Sequence, residues 1–146
     1  MYFQDRKDLA ISVALSFLGK PYIYGAQSPL TGFDCSGLVV EVFKAVGLIG
    51  GKEDLSAQQL ELRYSKNVSI EIVPGCLVFF GGGLAQIHHV GLCVFVDKTV
   101  GPIMIEAGGG DSLTTSLESA KAIGACVRVR PVRNRKDFVC AVNPFE

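Results

Sequence analysis

Partway along this chain the apolar residues change their spacing, and the change decides the fold class. As far as Tyr64 they recur three to four apart, the period of a helix with one face against a core. Beyond it they gather into short β-branched and aromatic runs: Leu77 to Phe80, Val90 to Val96, Ile103 to Ile105, Cys126 to Arg130 and Phe138 to Val142. The connections between these runs are too short for repeated helical crossovers, so neighbouring strands must pair mainly antiparallel. Helices first and strands afterwards predict an α+β fold, with N-terminal helices packed on a mainly antiparallel sheet. At 146 residues, 49% of them apolar, the chain can bury one core and is too short for two ordinary domains. Residues 1–146 are therefore read as a single domain.

Leu9, Val13 and Phe17, four apart, predict a first helix from about Asp5 to Leu18 that stops at Gly19-Lys20-Pro21. Its apolar stretch follows Lys7 and superficially resembles a secretion signal. Asp5 and Asp8 stand where such a signal carries only positive charge, which argues against that reading. No other apolar run is long enough to span a bilayer, so a soluble protein is expected, cytosolic unless something else delivers it and without membrane insertion. From Tyr22 to Asp34 the chain is a loop punctuated by Gly25, Ser28, Pro29 and Gly32. Asp34 then caps a helix that begins at Cys35, buries Leu38, Val39, Val42, Phe43 and Val46, and closes at Gly47. A third, more polar helix is expected from Ser56 to about Tyr64.

Fourteen basic and fourteen acidic residues cancel, so nothing global favours nucleic acid as a partner. Arg128, Arg130, Arg133, Arg135 and Lys136 form the basic cluster. Arg128 and Arg130 alternate with Val127 and Val129, as on the solvated face of a half-buried strand; contact with an anionic polymer is the alternative.

Five cysteines is an odd count, and without a secretion signal they are expected as reduced thiols. Cys93, Cys126 and Cys140 lie in β-prone runs, where free Cys behaves as a small buried hydrophobe, and Cys76 follows the turn Pro74-Gly75. Cys35 alone has polar neighbours, Asp34 and Ser36. In the first turn of a helix, backbone N–H groups and the dipole stabilise a thiolate, and the same groups can hold the oxyanion of acyl transfer.

A cysteine nucleophile needs a base, and the chain offers His88 and His89 at the start of a strand. Adjacent strand residues point to opposite faces, so only one can serve. His89 shares its face with Gly91 and Cys93, and the missing side chain at Gly91 is read as room for the Cys35 helix. His88 shares the apolar face of Val90, Leu92 and Val94, expected to pack elsewhere and to leave His88 partly exposed. Glu106, after Ile103-Met104-Ile105 and before Ala107-Gly108-Gly109-Gly110, is the candidate for orienting the imidazole, with Asp97 the rival. Zinc is disfavoured, because His88, His89, Cys76 and Cys93 lack a metal-binding spacing, and no metal or other cofactor is expected.

Four blocks now carry a resemblance: Gly19-Lys20-Pro21-Tyr22-Ile23-Tyr24-Gly25, Gly32-Phe33-Asp34-Cys35-Ser36-Gly37-Leu38-Val39, Pro74-Gly75-Cys76-Leu77-Val78-Phe79-Phe80 and His89-Val90-Gly91-Leu92. In this order they resemble the NlpC/p-sixty family of cell-wall cysteine peptidases. The resemblance implies a reduced papain-like fold and hydrolysis of an amide bond in peptidoglycan stem peptides, most often that between γ-D-glutamate and a diamino acid. By position it makes Cys35 the nucleophile and His89 the base, sets Tyr22 beside the nucleophile, and gives Asp34 and Ser36 to the amine end of the peptide. Two departures stand out: Glu106 where many members have His, and Cys76 where an acid is usual. An acyltransferase or amidase on the same scaffold and a non-catalytic phage tail component are the alternatives. A phage origin, with tail proteins as partners and virion or lysis machinery as the route to the wall, would fit the lack of an export signal.

Overall fold

The computed structural model describes residues 3–146. Helix α1 (Phe3–Ser16) leads into a two-stranded hairpin, β1 (Gln27–Ser28) with β2 (Gly32–Phe33), followed by α2 (Cys35–Ala45) and α3 (Ala57–Arg63). Strands β3 (Leu77–Gly81), β4 (Ile87–Asp97) and β5 (Gly101–Gly108), a short α4 (Leu117–Ile123), and strands β6 (Cys126–Pro131) and β7 (Phe138–Val142) complete it. The five long strands form one sheet in the order β6-β5-β4-β3-β7, antiparallel at every pairing, as the α+β reading requires. None of the described helices is long and apolar enough to cross a membrane.

One face of this sheet carries the main core. Leu77 and Phe79 of β3, Val90 and Leu92 of β4, and Ile105 and Ala107 of β5 pack against Leu38, Val39, Val42 and Phe43 of α2 and against α1 and α3. Fully buried aromatics such as Phe33, Phe43 and Phe79 each contribute roughly 2 kcal/mol over exposure. Across the sheet a smaller cluster of Val78, Phe80, Met104, Val132 and Ala141 closes the other face.

The first helix departs from expectation in its buried stripe. Ala10 and Ala14 are fully buried, Val13 and Phe17 pack partly against the core, and Leu9 remains 39% exposed. Small side chains on the inner face seat this helix, so its buried stripe lies one position beyond the one the large residues suggest. Helix α4, absent from the sequence reading, buries only Ala120 and so shows no apolar period. Its ends were written in the chain nonetheless: Ser116 and Ser119 form a capping box, and Gly124 closes it in the left-handed region.

Helix α2 begins where the sequence placed it. The Asp34 carboxylate accepts the Gly37 N–H at 2.7 Å, a cap worth about 1 kcal/mol. Its other oxygen accepts the Gly25 N–H at 3.0 Å, tying the preceding loop to the helix start. Gly37 is needed there because a Cβ would lie 2.0 Å from the Ala26 carbonyl oxygen. The cap, the loop and the first turn of α2 are thereby locked together, with Cys35 at their centre.

Candidate active site

At the end of the sheet nearest the α2 N-terminus lies a cleft of about 320 Å³, lined by Tyr22, Tyr24, Cys35, His88, His89, Asp111 and Arg135 among others. Its wall on the β5 side is the glycine run Gly108 to Gly110. Tyr22 is 8% exposed, and its ring lies so close to Gly110 that a Cβ there would come within 2.3 Å of it. Burial pushes the Tyr22 hydroxyl well above the usual tyrosine range, with the neighbouring Cys35 and Asp34 adding to the effect, so it stays a neutral donor.

The Cys35 thiol is 9% exposed and donates toward the His88 carbonyl at 3.8 Å. Burial, and then the nearby Asp34 carboxylate, push it up to about 11, against the pull of the Val90, Ser36 and Cys35 N–H groups. The resting site thus holds a protonated thiol, and helix placement alone does not make a standing thiolate. A base must take the proton when the nucleophile is used.

His89, which lines the same cleft, is the candidate. Its Nε2 meets Glu106 Oε1 at 2.8 Å, and burial lowers its proton affinity despite that carboxylate. Glu106 is 1% exposed. Burial would raise its pKa, but the hydrogen bonds and charges of His89 and Arg128 outweigh that and hold it at about 2. An ionised carboxylate only accepts, so Nε2 carries the hydrogen and Nδ1 is left as the lone-pair nitrogen of the neutral ring. Phe80, directly opposite His89 on β3, supports the ring at 5.6 Å between centroids.

The two histidines diverge as strand alternation demands. His88 projects into solvent, its Nε2 3.8 Å from Asp137. The assignment of faces, however, needs correction. The apolar face of Val90 and Leu92 lies under the Cys35 helix, and His89 is on the opposite face. Gly91 makes room for Met104, whose sulfur a Cβ would meet at 2.7 Å, and has no part in seating α2. Cys35 and His89 line one cleft because both stand at the rim of the sheet, where β3 pairs irregularly with β4 between Phe80 and Gly81.

Asp34 and Ser36 do not line this cleft. They border a second depression that also touches the α2 N-terminus, together with Asp54, Ser56 and Gln59. Burial raises the Asp34 pKa against the opposing Gly37 and Gly25 N–H bonds. Asp97 is removed from the site altogether, since it accepts the Thr99 and Val100 N–H groups in the turn after β4. Cys76 is fully buried beside Cys93, whose N–H bonds the Cys76 carbonyl. A thiol needs no charged partner in that position, whereas a carboxylate would.

The sequence reading missed two partners of Glu106. Arg128 Nε donates to its Oε2 at 3.0 Å, and Arg130 Nη1 lies 3.5 Å from the same oxygen. The arginine face of β6 was read as solvated, but Arg128 and Arg130 are half-buried against Glu106 while Val129 is the exposed residue between them; the register that sets Glu106 opposite Arg128 could not be seen.

Comparison with known proteins gives the family and the fold. The model of the NlpC/P60 family matches residues 19–132. The bifunctional muramidase/DL-endopeptidase CwlT of Bacillus subtilis is 40% identical over 92 residues, 62% of this chain and 27% of that protein. The gamma-D-glutamyl-L-lysine dipeptidyl-peptidase of the same organism is 39% identical over 135 residues, 90% of this chain and 38% of that protein. The chain therefore spans well under half the length of these relatives. Among solved structures, the peptidoglycan hydrolase RipB from Mycobacterium tuberculosis superposes with a TM-score of 0.69 at 25% identity, over 99% of this chain and 67% of that one.

Proposed function

Because this chain belongs to the NlpC/P60 family, we propose that it is a cysteine peptidase that hydrolyses an amide bond in peptidoglycan stem peptides, the bond between γ-D-glutamate and a diamino acid. The observation that carries the proposal is the convergence of Cys35 and His89 on one cleft, with Glu106 fixed behind the imidazole. Relatives named as a DL-endopeptidase and a γ-D-glutamyl-L-lysine dipeptidyl-peptidase support the choice of bond.

The chemistry we propose is acyl transfer through Cys35. His89 Nδ1 takes the Cys35 proton as sulfur attacks the carbonyl carbon, and the α2 N-terminus offers N–H groups to the oxyanion. The imidazolium then protonates the leaving amine as the C–N bond breaks, leaving a thioester on Cys35. Water, deprotonated by His89, releases the acid and restores the thiol. Glu106 steadies the imidazolium in both halves. The second depression, with Asp34, Asp54 and Ser36 at its border, is the acidic side of the site and suits a peptide ammonium group.

Mass spectrometry of defined muropeptides incubated with the protein tests this. Cleavage between γ-D-glutamate and the diamino acid is expected, and loss of that product in Cys35→Ala. Transfer of the acyl group to an added amine in place of water would point to a transferase, and an intact muropeptide would refute the substrate assignment.

A further inference from the structure

We infer that Arg128 is a positioning residue for the reaction, holding Glu106 in the orientation and charge state in which it serves His89. The inference rests on His89 acting as the base, as proposed above.

The Glu106 side chain has no solvent-exposed surface, so both its oxygens need partners inside the protein. Oε1 faces His89 Nε2, and Oε2 is taken by Arg128 Nε at 3.0 Å with Arg130 Nη1 at 3.5 Å. Cross-strand register supplies this contact, since Glu106 pairs with Arg128, and Arg130 stands two residues along on the same face opposite Met104. The cleft wall is shaped to admit the guanidinium. A Cβ at Gly108 would lie 2.6 Å from Glu106 Oε2 and 3.1 Å from Arg128 Nη2, and one at Gly109 would lie 3.3 Å from Arg128 Nη1. The two glycines leave the space that the carboxylate and guanidinium fill.

Two consequences follow for His89. With Oε2 fixed, the carboxylate cannot rotate, so Oε1 keeps Nε2 protonated and Nδ1 free for the thiol. A lone buried carboxylate would also raise the proton affinity of the imidazole, and the guanidinium offsets part of that charge. Arg135, ahead of β7, also lowers the proton affinity of His89, and Asp137, paired with it at 2.9 Å, raises it; Cys35 from α2, Tyr22 and Tyr24 from the preceding loop, His88, and Asp111 after the glycine run line the same cleft.

The experiment compares the parent, Arg128→Gln, Glu106→Gln and the double variant in two assays. One is kcat and KM on a γ-D-glutamyl-diamino acid muropeptide. The other, which needs no peptide substrate, is the pH dependence of Cys35 alkylation by iodoacetamide, resolved by site with mass spectrometry. Arg128→Gln is expected to lower kcat about tenfold with KM nearly unchanged, and to move the acid limb of both profiles to higher pH. Arg128→Lys, which keeps the charge without the planar fork, should recover part of the loss. In the Glu106→Gln background the Arg128 substitution should cost less than about twofold, because its target is gone. An equal loss in both backgrounds, or unchanged kcat and profiles in a variant shown by circular dichroism to be folded, overturns the inference. If the parent cuts no muropeptide while the alkylation profile shifts as described, the substrate assignment fails and the role of Arg128 stands.

Discussion

His89 Nε2 and Glu106 Oε1 lie 2.8 Å apart on neighbouring strands, with Glu106 wholly buried and His89 open to the cleft by only 9% of its side chain. Because Glu106 is held ionised, the pair decides which ring nitrogen is free. Glu106→Gln can keep a hydrogen bond but supplies no charge to an imidazolium. We expect kcat to fall about 100-fold with little change in KM, measured on the muropeptide substrate.

The same pair sets the response to acid. Glu106 has a folded-state pKa near 2, below its unfolded value of 4.5, so its stabilisation is complete above 4.5 and is lost as pH falls toward 2. His89 is also lowered, below 6.5, so protonating it costs folded-state stability as pH drops through that region. Thermal unfolding should show a decline beginning below pH 6.5 and steepening below 4.5. Glu106→Gln should flatten the lower part, and an unaltered lower limb in that variant would contradict the assignment.

Substitution of the two histidines should separate cleanly. His89→Ala removes the base from a thiol that burial holds at about 11, so turnover should vanish and Cys35 alkylation at neutral pH should slow by more than about tenfold. His88→Ala should leave most activity, since that ring is exposed and only loosely paired with Asp137. Alkylation rates at Cys126 and Cys140 serve as the internal control, because neither thiol lies in the cleft.

Much of this site was legible in the chain because its parts are local. Asp34 before Cys35, with Gly37 three residues on, encodes a capped helix start in four consecutive residues, and alternation alone separates His88 from His89. What could not be read depends on register and layering. Which face of β4 lies under α2 is decided by how the whole sheet stacks, so Gly91 was given to the wrong neighbour. Arg128 reads as a surface cation along its own strand and becomes a partner of Glu106 only across β5 and β6. Helix α4 escaped because a helix that buries one alanine leaves no apolar period.

Gly108→Ala should damage the site without touching any reacting atom. Its Cβ would fall 2.6 Å from Glu106 Oε2, forcing the carboxylate or the Arg128 guanidinium to move. A stability loss of about 1–3 kcal/mol by denaturant titration is expected, together with a fall in kcat. Gly51→Ala, at a position with open space around it and, like Gly108, no positive φ, should leave kcat unchanged and measures the cost of the substitution alone.

Asp34→Ala should cost about 1–2 kcal/mol of stability, because it frees both the Gly37 and the Gly25 N–H groups. Asp34→Asn retains an acceptor for one of them and should lose less. Urea titration of the two variants ranks them, and equal losses would mean that the carboxylate does not bridge the loop and the helix start.

In the proposed mechanism Cys35 attacks the peptide and carries its acyl group. Acid quenching within the first turnover, followed by intact-mass and peptide-level mass spectrometry, measures this directly. A transient adduct with the mass of the γ-glutamyl acyl fragment is expected on the peptide containing Cys35, absent in Cys35→Ala, which should not turn over. Continued cleavage by Cys35→Ala with no adduct at any time point would contradict it.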